Sequence, residues 1–267
     1  MGGSGGGIPN HRAKALAQCG FAALALGYFG CEGRPNKLVE IPLEYFGTAL
    51  EWLRARPEVT SDFPAIAGIS RGGELALLIA AHFPNISAVV SISGSGLMHR
   101  SPPRNDAMRA SWSLRSQPLP YLEENNQSDD PTLWDYHGTP VSPKPRYLLN
   151  LQDEDAVARS IIPVEHLTVP VLFITGGDDQ VWPAFELVEL AMNRLKATGK
   201  QYLARHICYP DAGHNITLPN YAHPIENRYH SVDEGKYLYG GTAEADTHAS
   251  IESWKETLQF LRAATRV

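Results

Sequence analysis

The sequence predicts an α/β fold with a mostly parallel sheet and helices on both faces, on three observations. Short apolar runs of strand length alternate with helical stretches along most of the chain. Gly68-Ile69-Ser70-Arg71-Gly72 spells G-x-S-x-G between a strand-like run and a helix-like run, the place where a sharp turn pushes a serine hydroxyl out of the top of a sheet. A carboxylate pair and then a Gly-His follow two later strand-like runs, in the chain order serine, acid, histidine.

The elements follow in order. Met1 to Gly7 is a glycine-rich start, read either as a linker or as a loop whose backbone must come close to a ligand. Asn10 caps a helix to about Gln18, and Gly20 stops it. Phe21–Tyr28 is an apolar run of strand length. Ile41–Arg54 carries a helical stripe of Ile41, Leu43, Phe46, Leu50 and Leu53, which Pro57 ends. Pro64–Gly68 forms the strand before Ser70, and Gly73–His82 the helix after it. Ser87–Ser93 is the next strand, closed by Gly94-Ser95-Gly96. Residues 97–160 are rich in Pro, Asn, Asp, Arg and Ser, which marks a cap-like insertion over the sheet within one domain spanning residues 1–267. Val169–Thr175 resumes the sheet, followed by a helix over Pro183–Leu195, a strand over Leu203–Tyr209 and an amphipathic helix over Ile251–Leu261.

Composition narrows the function. With 43% hydrophobic and 19% charged residues, 267 residues can bury a sizeable core. A net charge of −6 argues against nucleic acid as a partner. Cys19, Cys31 and Cys208 make neither a disulfide framework nor a metal-ligand pattern, so no metal and no cofactor are expected. No apolar run is long enough to span a membrane and the N-terminus lacks a basic region followed by an apolar one; no membrane partner and a cytoplasmic location are the expectation.

A serine hydroxyl becomes a nucleophile only when a base takes its proton, and the base is held by a carboxylate. His214, on the glycine-containing loop after Tyr209, is the candidate base, with His248 the fallback. Asp178 and Asp179 both follow the strand ending at Thr175. Asp179 is favoured because it sits directly before the turn into the next helix, whereas Asp178 suits hydrogen bonding to the turn backbone. The oxyanion donors expected are the backbone N–H of Arg71 and an N–H of the glycine loop, at Gly5 and Gly6. Arg71 and Trp182 are the candidate substrate-binding side chains.

At these residues the chain resembles the C-terminal catalytic domain of the acyl-CoA thioesterases and bile acid-CoA:amino acid N-acyltransferases. The stretches that carry the resemblance are GGSGGG with IPNHRAKALAQCGFAALALGYFG, IPLEYFGTALEWLRARPEV, GISRGGELAL, SIIPVEHL, GGDDQVW and HICYPDAGHNI, which together run along most of the chain. The resemblance implies an α/β-hydrolase fold related to the dienelactone hydrolases, the set Ser70, Asp179 and His214, and a glycine loop that belongs to the protein. It also implies hydrolysis, since the amino acid transferases of the family carry cysteine where this chain has Ser70. Members have a strand ahead of the glycine loop, and eukaryotic members a β-sandwich domain ahead of that. This chain begins at the loop, so the sheet is expected to lack its usual N-terminal strands, and an open edge of that kind favours a homodimer. The expected substrate is a small acyl ester or thioester. Two alternatives stand beside hydrolysis: transfer of the acyl group to an amine, and a homologue that binds acyl ligands without turning them over.

Overall fold

The structure is a computed structural model that describes residues 1–59, 63–102, 108–123, 140–219, 229–232 and 235–265. In chain order its elements are α1 (Asn10–Gln18), β1 (Ile41–Pro42), α2 (Glu44–Arg54), β2 (Ile66–Ile69), α3 (Arg71–His82), β3 (Val89–Ile92), β4 (Trp112–Leu114), β5 (Gln117–Pro118), α4 (Lys144–Asn150), α5 (Glu154–Ser160), β6 (Val171–Gly176), α6 (Ala184–Ala197), β7 (Ala204–Tyr209), β8 (Tyr229–Val232), β9 (Gly235–Leu238) and α7 (Ala243–Thr265).

The central sheet has the order β2-β3-β6-β7 and is parallel throughout, with Ile66 opposite Val89 and Val89 opposite Val171. The two inner strands, β3 and β6, are buried along their whole length, so both faces need apolar side chains. The two-residue period divides them. Val89, Val171 and Phe173 face the cluster that includes Leu75, Ile79, Phe46 and Leu195; Val90, Ile92, Leu172 and Ile174 face Ala249 and Leu261 of α7. Helices therefore cover both faces, as the alternating pattern predicts.

Most expected elements lie within a few residues of their predicted bounds. One strand does not form. Residues 21–28 pair with no strand, because an apolar trough of about 310 Å³ separates them from β2; Phe21, Leu24 and Leu26 line one side and Pro64, Ile66 and Gly68 the other. Met1 meets the β2 edge there, its amino group donating to the Ala67 carbonyl at 2.6 Å and its carbonyl accepting the Ile69 N–H at 3.4 Å. The final helix begins at Ala243, eight residues before its predicted start at Ile251. The hairpin β8–β9 carries no sequence signal strong enough to predict it.

Parts of the insertion, residues 103–107 and 124–139, lie outside the described residues. Its described portion is tied down at several points, two of which bear on the serine turn and the Asp179 loop. Leu97, Leu122 and Ala156 pack with Trp182, Ala184 and Leu187, at the start of α6. The second point is a buried ion pair in the first turn of α3. Arg71 binds Glu74 at 2.5 Å, and reaches the carbonyls of His99 at 2.9 Å and Arg100 at 3.2 Å and the hydroxyl of Ser111. Glu74 accepts hydrogen bonds from Trp112 Nε1 at 2.6 Å and from the His99 N–H at 3.2 Å.

Burial pushes the Glu74 carboxyl up to about 7, against the opposing pull of Arg71 and of its donors. A carboxyl raised above its ordinary 4.5 binds more protons in the folded chain than in the unfolded one, so stability falls as pH rises between those values. Wild type should therefore lose stability relative to Glu74→Gln between pH 5 and pH 7.5, measured by urea unfolding of both chains. A stability difference that does not change with pH would show that Glu74 stays ionised across this range.

Candidate active site

The elbow is built by close backbone approach. A Cβ on Gly68 would lie 1.9 Å from the Gly72 carbonyl oxygen, and a Cβ on Gly72 would lie 2.3 Å from the Gly2 oxygen, so neither position tolerates a side chain. Between them Ser70 takes φ +55° and ψ −124°, a strained conformation for a residue other than glycine, at the junction of β2 and α3. Its own N–H donates to the Ile92 carbonyl at 2.8 Å, which fixes the turn to the end of β3. The Arg71 N–H is the first of α3, where the helix itself supplies no carbonyl to accept it.

Asp179 and His214 meet one layer above. Asp179 is fully buried; its Oδ1 accepts the N–H groups of Val181 at 2.9 Å and Trp182 at 3.2 Å, and this local turn directs Oδ2 to His214 Nδ1 at 2.7 Å. Asp178 points elsewhere. It accepts from Gln180 Nε2 at 2.6 Å and from the Gly241 N–H at 2.7 Å, the turn-bracing role that its position suggests. With Nδ1 facing a carboxylate, the proton belongs on Nδ1 and Nε2 keeps a lone pair. The imidazole is almost wholly buried, with Trp182 edge-on at 5.9 Å and Tyr239 parallel at 6.3 Å. His248 sits in α7 against Tyr209.

Ser70 and His214 share a mount. The residue after Ile92, Ser93, donates its hydroxyl to the His214 carbonyl at 2.8 Å. Among the described residues the Ser70 hydroxyl makes no hydrogen bond, so the link from Nε2 to the serine is not closed here. Unliganded sites often hold this contact long.

Three expectations need correction. The Gly6 N–H is turned back to the Gly3 carbonyl at 3.3 Å, so it is no oxyanion donor, and Gly5 is exposed. The loop instead meets Ser70 at Gly3, where a Cβ would lie 3.0 Å from Ser70 Cβ and 3.5 Å from its Oγ. The Arg71 side chain does not face a substrate, because it is buried and committed to Glu74 and the insertion. Trp182 is equally buried, donates Nε1 to the Ser93 carbonyl at 3.0 Å and packs against both His214 and His99, so it braces the His214 ring. Sequence reasoning missed Gly3, Ser93 and Tyr239. Ser93 had a signal in the serine-glycine run after its strand, and Tyr239 had one in the Gly240-Gly241 pair that follows it.

Among the described residues no helix is long and apolar enough to cross a membrane. In overall shape the chain is similar to the Pyrococcus furiosus esterase Pf2001 (TM-score 0.57, 12% identity, covering 99% of this chain and 81% of that one) and to a dienelactone hydrolase-like promiscuous phosphotriesterase from metagenomic libraries (TM-score 0.53, 16% identity, 98% and 84%). These likenesses show the α/β-hydrolase fold. In sequence it is 33% identical over 264 residues to human acyl-coenzyme A thioesterase 6, covering 97% of this chain and 57% of that protein. It is 32% identical over 265 residues to human mitochondrial acyl-coenzyme A thioesterase 2, covering 97% and 50%. Mouse peroxisomal succinyl-coenzyme A thioesterase is 30% identical over 267 residues, covering 97% and 57%. The chain thus spans about half the length of the curated relatives it matches. The model of the BAAT / acyl-CoA thioester hydrolase C-terminal family matches residues 41–266, which takes in the elbow, the carboxylate pair and the histidine loop, and the chain belongs to that family.

Proposed function

We propose that this chain is a serine hydrolase of acyl thioesters, acyl-CoA foremost, and of simple esters. The observation that supports it most is the buried Asp179–His214 pair, mounted on the same strand end as a strained, glycine-flanked Ser70. His214 Nε2 takes the Ser70 proton as Oγ attacks the acyl carbonyl, and Asp179 holds the ring and offsets the charge that the ring gains. The oxyanion that forms is met by the Arg71 N–H and by an amide of the loop where it meets Ser70 at Gly3; one such donor is worth about 3 kcal/mol in the transition state. Collapse expels the thiol or alcohol, which takes the proton from His214. Water then attacks the acyl-serine with His214 again as base, releasing the acid and restoring Ser70. Relatives named as thioesters' hydrolases support CoA as the leaving group.

Ser70→Ala should abolish hydrolysis of both acyl-CoA and p-nitrophenyl esters while leaving the thermal unfolding midpoint close to wild type; undiminished turnover would remove Ser70 from the role. Asp179→Asn should lower kcat by about 10⁴-fold, because the wrong imidazole tautomer is then favoured. Asp178→Asn, which only braces a turn, should stay within about 10-fold of wild type, and the reverse ranking would move the acid to Asp178. Steady-state kcat/KM for acyl-CoAs of several lengths against matched simple esters should favour the thioesters. With glycine or taurine present the product should remain the free acid, and an amide product would instead mark an acyltransferase.

A further inference from the structure

The segment Tyr239-Gly240-Gly241 lies twenty-five residues beyond His214 and yet returns to both loops of the acid–base pair. The Tyr239 carbonyl accepts the His214 N–H at 2.8 Å and the Gln180 N–H at 3.3 Å. Gly240 bridges Asp179 in antiparallel fashion, and Gly241 donates its N–H to Asp178. At Gly240, φ is +75° and a Cβ would fall 1.8 Å from the Asp178 carbonyl oxygen, so glycine is required there by both conformation and space. The segment is fixed at its far end as well, since Asp246 at the start of α7 accepts the Gly213 N–H at 2.8 Å.

This strap presents one side chain to the base. The Tyr239 ring lies 6° from parallel with the His214 imidazole, its centroid 6.3 Å away, while Trp182 stands edge-on at 5.9 Å. The two rings border a slot for the imidazole, one parallel to its plane and one edge-on. The slot matters because rotation about the Cβ–Cγ bond of histidine is broad and soft. A single hydrogen bond from Nδ1 to Asp179 leaves the ring free to tilt about that bond, and a tilt carries Nε2 away from the serine. We propose that Tyr239 is a positioning residue for His214, acting through the face of its ring to hold the imidazole plane while the strap's main chain ties the acid and base loops together. This rests on the hydrolase reading given above.

The test uses the full chain with Tyr239→Phe, Tyr239→Leu and Tyr239→Ala, read in two ways. The first is steady-state hydrolysis of an acyl-CoA. Tyr239→Phe, which keeps the ring face, should stay within about 2-fold of wild type, whereas the Leu and Ala variants should lose about 10- to 100-fold in kcat at little-changed KM. The second is the low-field proton resonance of the His214 Nδ1–H, assigned by its loss in Asp179→Asn. It should persist in the Phe variant and broaden in the Leu and Ala variants, with all four chains folded by circular dichroism. The leucine variant fills most of the same volume, so it keeps the test usable if alanine destabilises the strap. Retention of both kcat and the resonance in Tyr239→Leu would overturn the proposal, as would a Phe variant that falls as far as Ala. Because the resonance reports the slot without turnover, it separates a failure of this inference from a failure of the hydrolase reading, which Ser70→Ala decides.

Discussion

The site hangs from Ile92, the last residue of β3, and Ser93, which follows it. The Ile92 carbonyl takes the N–H of Ser70, and the three polar groups of Ser93 go to three different elements. Its N–H donates to the Ile174 carbonyl of β6 at 2.7 Å, its hydroxyl to the His214 carbonyl at 2.8 Å, and its own carbonyl accepts Trp182 Nε1 at 3.0 Å. The turn at Ser70 and the loops of Asp179 and His214 are thus registered to one point. Ser93 is fully buried and holds φ at +44°, so the geometry costs backbone strain and a polar group in the core. Full satisfaction of its donors and acceptor offsets that cost. A parallel sheet makes such a hub available, since all its strands end on the same side and their ends form one crevice.

Asp179 shows the same logic applied to charge. An ionised carboxylate with no exposure to water is expensive unless its oxygens are all partnered. Here two backbone N–H groups occupy Oδ1 and the imidazole occupies Oδ2. Neutral dipoles settle the carboxylate without cancelling its charge, so its field remains available to an imidazolium. A direct ion pair with arginine would have quenched that field. Asp178, one residue earlier, is spent on the turn, and the two neighbouring carboxylates are separated by the direction their backbone gives them.

How much of this was legible in the sequence follows from how local each cause is. The elbow was legible because Gly68 and Gly72 exclude side chains over a span of five residues. The contrast between Asp179, which meets His214, and Asp178, which braces the turn, was legible because turn position sets direction. The central strands were legible because double burial writes continuous apolar runs. The strand expected at 21–28 was not, since an apolar run becomes a strand only with a neighbour to pair with, and pairing is not a local property. The roles given to Arg71 and Trp182 failed for a related reason: both looked like site residues by position, and only the folded insertion shows that each is committed to it. Tyr239 lay beyond reach because its contact with His214 closes a 25-residue excursion, which no spacing rule encodes.

The insertion is coupled to the base through rings. Tyr147 of α4 stands edge-on to His99 at 5.5 Å, His99 lies against Trp182 at 5.1 Å, and Trp182 stands over His214 at 5.9 Å. Burial, reinforced by Arg71 and Arg100, holds His99 well below the usual histidine range, and Ser95 Oγ satisfies its Nε2 at 2.8 Å. The consequence is electrostatic. In the proposed mechanism His214 becomes cationic, and a second imidazolium against Trp182 would oppose it in a medium of low polarity. A neutral His99 transmits packing without charge, and the Arg71 guanidinium beside its carbonyl is held by Glu74. In the proposed mechanism the positive charge therefore falls on His214, with Asp179 against its Nδ1.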